Sequence, residues 1–129
     1  MSELSDNRVY EVFNLNSVIS EFPPDPESKA RHRAEILVKS NTLRVIVVTA
    51  VAGGFLHEHS APGPITVQVL EGKFTLTIDN EPRVLEAGEI AVVSPDISHG
   101  VVCDEDGAFL LTIAHLSHTP DPGGEDDGI

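Results

Sequence analysis

Residues 53–72 read GGFLHEHSAPGPITVQVLEG, and residues 88–99 read GEIAVVSPDISH. In the first stretch Ile65, Val67 and Val69 alternate with Thr66, Gln68 and Leu70, a period of two that predicts a strand with one face toward an apolar core. The same stretch opens on two glycines and sets His57 and His59 two residues apart. In a regular strand that spacing puts both rings on one face, shared with Phe55, while Leu56 and Glu58 point the other way. The second stretch runs from Gly88 through the apolar residues 90–93, turns at Ser94-Pro95-Asp96, and opens the next strand on His99. Proline fixes φ, and aspartate tolerates the tight bend such a turn needs.

The period of two extends to both sides. Ala34, Ile36 and Val38 alternate with Glu35, Leu37 and Lys39; Ser40-Asn41-Thr42 reads as a turn, and a β-branched run fills residues 43–51. Beyond residue 70, Glu71-Gly72 predicts a turn, after which Phe74, Leu76 and Ile78 alternate with Lys73, Thr75, Thr77 and Asp79. Asp79-Asn80 predicts another turn, and further strands are expected over 81–85, 90–93, 99–103 and 108–114. Turn signals about every ten residues are the spacing of an all-β sandwich or barrel, here of six to ten antiparallel strands. No helical stretch separates the strands, which excludes a parallel α/β fold. Upstream, Leu15, Val18, Ile19 and Phe22 mark one face of a short helix that Pro23 and Pro24 end. Three segments follow: an N-terminal arm and linker (1–33), a barrel (34–116), and an acidic tail (117–129, SHTPDPGGEDDGI) expected to be disordered.

Composition narrows the function classes. A chain of 129 residues is one domain's worth. Its single cysteine, Cys103, excludes an internal disulfide and favours a reducing compartment. The first twenty residues lack a basic start followed by an apolar run, so they do not read as a signal peptide. The most apolar stretch, 45–56, is broken by Thr49, Gly53 and Gly54 and is too short to span a bilayer. The cytoplasm is therefore the expected location. A net charge of −13, from 21 acidic and 8 basic residues, speaks against nucleic acid and anionic membranes as partners.

Together, in this order and at this separation, the two stretches resemble the paired motifs of the cupin family over residues 34–115. Gly53/Gly54, His57, His59 and Gly72 match the first motif; Gly88, Pro95 and His99 match the second, with Asp96 standing at the turn glycine and Cys103 at the last polar position. The run HSAPGPITVQVLEG looks like that of small single-domain bacterial cupins. The resemblance implies a jelly-roll barrel (a double-stranded β-helix) with a histidine-lined pocket for a small molecule. It also implies a divalent transition metal (Fe, Zn, Ni or Mn) held by His57, His59 and His99. Three neutral imidazoles leave the full 2+ charge on the ion and keep positions open for water or substrate. If the protein is an enzyme, the family implies a metal-dependent oxygenase or isomerase.

The chain also departs from the pattern. Counting back seven from Gly72, the family's carboxylate position falls on Ile65, whose face carries Val67 and Val69, so a fourth ligand is missing. That apolar face supports an alternative: a binding or sensor cupin without metal or chemistry. Cys103 shares the parity of His99 and reads as a buried, inert thiol. Glu58 reads as a surface residue, and His32, His115 and His118 as solvated. There is no Ser/His/Asp order, phosphate-binding glycine loop or cysteine-pair spacing. A homodimer is expected, because the arm's apolar face is more than the small barrel is predicted to cover alone. The family's pairing through N-terminal strands implies the same.

Overall fold

Runs of β-branched residues with period-two burial favour extended pairing, and every strand finds an antiparallel partner. The computed structural model describes residues 10–114. The elements are α1 (Leu15–Glu21), β1 (His32–Lys39), β2 (Leu43–Ala50), β3 (Phe55–His59), β4 (Ile65–Ile78), β5 (Glu81–Glu86), β6 (Ile90–Val93) and β7 (His99–Ala114). The main path runs β1-β2-β7-β4-β5, with β3 added on β7 and β6 added on β4. The all-β expectation holds, with seven strands among the described residues, inside the expected range. The barrel begins at His32, two residues before the expected boundary. The tail at 117–129, and His115 and His118, lie outside the described residues.

Two long strands form the spine. The first half of β4, from Ile65 to Val69, pairs with Phe109–Ile113 of β7, and its second half, from Phe74 to Ile78, pairs with His99–Cys103. The outer strands divide in the same way. β2 lies against Gly107–Ala114 and β6 against Ile65–Gln68, whereas β3 lies against His99–Val102 and β5 against Lys73–Ile78. Between the halves the β4–β7 register shifts three times over Val69–Phe74. The expected turn at Glu71-Gly72 is thus a correction: these residues bend one continuous strand. Gly72 takes a φ of +79°, and a Cβ there would run into the carbonyl of Asp106, while one on Gly107 would run into that of Glu71. Glycine at both positions lets the two backbones touch where the sheet folds over.

Folding over brings the inner faces together. Ile46, Val48, Ile65, Val67, Val69, Phe109 and Leu111 from one half meet Phe74, Leu76, Leu85, Val101 and Cys103 from the other in one buried cluster. Phe74 and Phe109 meet edge to face at 5.0 Å, an arrangement that adds to their area burial.

The outer face of β2 carries a second, smaller core. Val47 with Leu37 and Val38 is covered by Phe13, Leu15, Val18 and Ile19 of the arm. A bulge between Ile36 and Val38 turns two successive side chains of β1 inward, toward this cover. Helix α1 starts where the Asn14 side chain accepts the Ser17 N–H at 3.1 Å, and ends at Phe22. Phe22 stays docked, with its ring under the Arg33 guanidinium at 4.7 Å and its carbonyl accepting the Thr49 hydroxyl at 2.9 Å. The arm's apolar face is thus partly covered within its own chain. Among the described residues no helix is long and apolar enough to cross a membrane.

Candidate functional site

The site is built by β3 against the start of β7. Phe55 stands opposite Val102 and Leu56 opposite Val101, but the next matched pair is His59 opposite His99, so β3 spends one extra residue. Such a bulge inverts the alternation beyond it. Val101 is buried in the barrel, so Leu56 points inward with it and packs on the main core. After the bulge His59 faces inward beside His99, and their rings meet edge-on at a centroid distance of 4.5 Å. His57 falls on the other side, where it is exposed and lies edge-on to Phe55 at 4.9 Å. The expectation that His57 and His59 share a face with Phe55 is corrected here: the structure brings together His59 and His99, and leaves His57 outside.

Gly100 explains where the bulge sits. A Cβ on Gly100 would come 2.8 Å from Cγ of Glu58 and 3.3 Å from its Cα, so only glycine lets the displaced Glu58 lie across β7. Glu58 is exposed, as expected, and its carboxylate accepts the Ser98 hydroxyl at 3.4 Å. The glycine directly after His99 was the sequence signal for this crossing.

Both rings are oriented locally. His59 Nδ1 lies 2.8 Å from the His57 carbonyl, and His99 Nδ1 lies 3.0 Å from that of Ile97. A carbonyl only accepts, so each Nδ1 is the donor, which in a neutral ring leaves the lone pair on Nε2. His99 is buried at 6% exposure, and Ile97 and Ala61 pack on the core nearby. Burial pushes the His99 pKa down, the hydrogen bond to Ile97 opposes that, and His59 lowers it further. At neutral pH the ring is therefore uncharged. The turn that delivers it is as expected: Asp96, at the family's glycine position, takes a left-handed φ of 66°, and its N–H donates to the Ala61 carbonyl at 2.8 Å.

The remaining candidates fall as follows. Ile65 is buried at 2% exposure among Val67, Val93 and Ile113, so the carboxylate position is sealed hydrocarbon. Among the described residues no group of three or more His, Cys, Asp and Glu is placed to hold a metal ion. Cys103 is free and buried, as expected, and burial together with Asp106 and Asp104 pushes its thiol up to about 11. His32, expected to be solvated in the linker, instead opens β1 opposite Ala50, with Nδ1 buried and without a hydrogen-bond partner.

One feature was not read from the sequence. The turn Glu86–Glu89 carries the chain from the edge of one half-sheet to the edge of the other, and between those edges opens a cleft of about 400 Å³. Its walls include Ile78, Leu85 and Ala91, all in contact with the main core, and Arg83 and Glu89. Ile78 is the register partner of His99, so the cleft and the histidines adjoin. The signal was the parity of Arg83 with Leu85, which places both on one face of β5.

Residues 45–115 match the family model of the cupin domain. The chain is a cupin. Solved structures agree on the barrel. A conserved protein of unknown function from Streptococcus pyogenes superposes with a TM-score of 0.72 at 24% identity, covering 91% of this chain and 97% of that one. A cupin 2 conserved barrel domain protein from Leptotrichia buccalis gives 0.68 at 28% identity, over 80% of this cupin and 47% of its own length. An RmlC-like cupin from Shewanella frigidimarina gives 0.65 at 21% identity, over 81% and 88%. No curated protein matches the chain. Small bacterial cupins are thus what this barrel is similar to, and the family includes both metal-dependent enzymes and non-catalytic members.

Proposed function

We propose that this cupin binds a small organic molecule at the histidine end of its barrel, and that His59 and His99 hold a divalent transition metal there. One observation carries the reading: two inward imidazoles whose Nδ1 atoms are committed to backbone carbonyls, with centroids 4.5 Å apart. A ligated imidazole has its centroid about 3.2 Å from the ion, so two such rings subtending a right angle at the ion lie about 4.5 Å apart. The donor set suits iron, zinc, nickel or manganese. Bound there, the ion would supply Lewis-acid chemistry, polarising a carbonyl or acidifying a water. The chain's own part is to orient both rings through their Nδ1 contacts, to keep His99 neutral by burial, and to pack Ile78, Ala61 and Ile97 beside the site. With only two imidazoles and no carboxylate, the site binds modestly and yields to chelators. Affinity falls as pH falls, because a proton on a ligating nitrogen excludes the ion.

The buried Ile65 favours a second reading, a non-catalytic binding or sensor cupin. Metal content separates the two. Untagged protein reconstituted with zinc, iron, nickel or manganese near neutral pH should hold one equivalent by elemental analysis. His59→Ala and His99→Ala should each abolish uptake, and His57→Ala should preserve it. Uptake well below one equivalent for every metal would replace the metal reading with the second one. Loss on His57→Ala would mean that the bulge rearranges to admit a third ring.

A further inference from the structure

The cleft between β5 and β6 has a chemical polarity that names a ligand class. Its hydrocarbon comes from Ile78, Val84, Leu85, Ile90 and Ala91, and Ile78 is the register partner of His99. Its rim holds two charged side chains, Arg83 and Glu89. Glu89 is already engaged, since its Oε1 accepts the Glu86 N–H at 2.8 Å and closes the turn before β6. Arg83 donates from Nη1 to the Pro82 carbonyl at 3.0 Å and lies 3.6 Å from Glu81. That ion pair is solvent-exposed on both sides, of the kind that contributes little and is readily exchanged. A guanidinium carries five donors in a planar fork matched to a carboxylate, and these contacts leave most of the fork unspent. Arg83 stands opposite Leu76 and lines the cleft with an exposed side chain, so its fork can turn onto a molecule there. The cleft's volume is that of a small-ligand site.

We infer that the cleft takes a small monocarboxylate with an apolar or aromatic body, its carboxylate on Arg83 in place of Glu81 and its body against Ile78, Leu85 and Ala91. This deepens the small-molecule reading above and rests on it, but it does not rest on the metal. The ligand's far end points toward the histidine pair, and its charge stays at the rim. In a chain of net charge −13, that one basic group at an apolar mouth selects which anions enter.

The test uses the full chain treated with chelator, so that its outcome is independent of metal uptake. Benzoate and benzamide are titrated into labelled protein and followed by amide chemical shifts. Benzoate should shift residues 78, 85 and 91 and bind about tenfold more tightly than benzamide, the size of one charge-assisted pair. Arg83→Gln should bring the two affinities within about twofold of each other while the spectrum stays folded, as expected for an exposed side chain. Glu81→Gln should tighten benzoate by removing the competitor. Equal affinities in the wild type would overturn the proposal. So would benzoate preference surviving Arg83→Gln, weaker benzoate binding in Glu81→Gln, shifts confined to another part of the barrel, or no shift from either probe at about 10 mM, the weak end of ordinary affinities. If metal uptake fails while benzoate still reads Arg83, the metal reading falls and this one stands.

Discussion

Replacing Ile65 by glutamate, Ile65→Glu, supplies the carboxylate that the cupin motif places there and tests whether that position faces the histidine pair. Ile65 is 2% exposed, packed among apolar neighbours from β4, β6 and β7. Losing the buried isoleucine side chain costs about 2 kcal/mol of transfer energy, and a buried, unpaired carboxyl adds about 2 kcal/mol even when it protonates. The sum, about 4 kcal/mol, is a large share of the roughly 5–15 kcal/mol typical of a domain. At a urea slope of about 2 kcal/mol/M, it lowers the unfolding midpoint by about 2 M in chelator. A divalent ion at one hundred times its Kd should return about 2.7 kcal/mol, because the carboxylate then has a partner in the folded state alone. Urea unfolding with chelator and with zinc, beside Ile65→Met as a volume control, measures both terms. A chelator-treated Ile65→Glu protein within about 1 kcal/mol of wild type would refute the claim that this position is sealed, since substitutions of that size are ordinary at tolerant sites. A full loss that zinc does not repair would show that position 65 does not look toward His59 and His99.

Chelator-treated wild type should lose stability as pH falls below about 6.5, the ordinary imidazole value. Folding pushes the His99 pKa down, so below 6.5 the unfolded chain takes up the proton first and is favoured, and the loss continues until the lowered folded pKa is passed. Urea midpoints from pH 8 to pH 5 should therefore slope more steeply in wild type than in His99→Gln, and equal slopes would contradict the assignment. Two glycine substitutions separate strain from crowding. Gly88→Ala has a φ of +92° with nothing within 4 Å and should cost about 1–2 kcal/mol, whereas Gly107→Ala meets the Glu71 backbone and should cost clearly more, with melting temperatures of the two variants deciding the order.

Alternation made most of this barrel legible. The period of two in residues 65–69 and 74–78 located the buried faces, and Asp79-Asn80 and Asp96 took the left-handed angles that their turns require. Glu71-Gly72 misled because a glycine with positive φ serves a sharp turn and a strand bend equally well. Only the long-range contact of Gly72 with Asp106 decides between them, and local sequence does not carry it. The histidine site was legible in its members but not in its geometry. His59 and His99 are neighbours as read, while His57 was misplaced because parity assumes an unbroken register. The extra residue in β3 is set by Glu58 crossing Gly100, a contact between segments 42 positions apart. The β5–β6 cleft went unread for the same reason, since its walls come from strands that meet only through the bend in β4.

That bend has a consequence for how the molecule comes apart. Because β4 and β7 each run through both halves of the barrel, every strand from β2 to β6 is hydrogen-bonded to one or both of them, and neither half owns a complete set of partners. A β-sandwich of two separate sheets can loosen along the plane between them. Here the two faces are one folded ribbon, so separating them means breaking the β4–β7 ladder itself. Partial opening is expected first in what hangs from the ribbon: the arm, the edge strands β1, β5 and β6, and the short β3 that carries His59. The strand that would grip a metal is thus among the first to give way, while the strand that carries His99 is among the last. The site joins the most and the least persistent parts of the barrel, and an ion held between His59 and His99 would tie the first to the second.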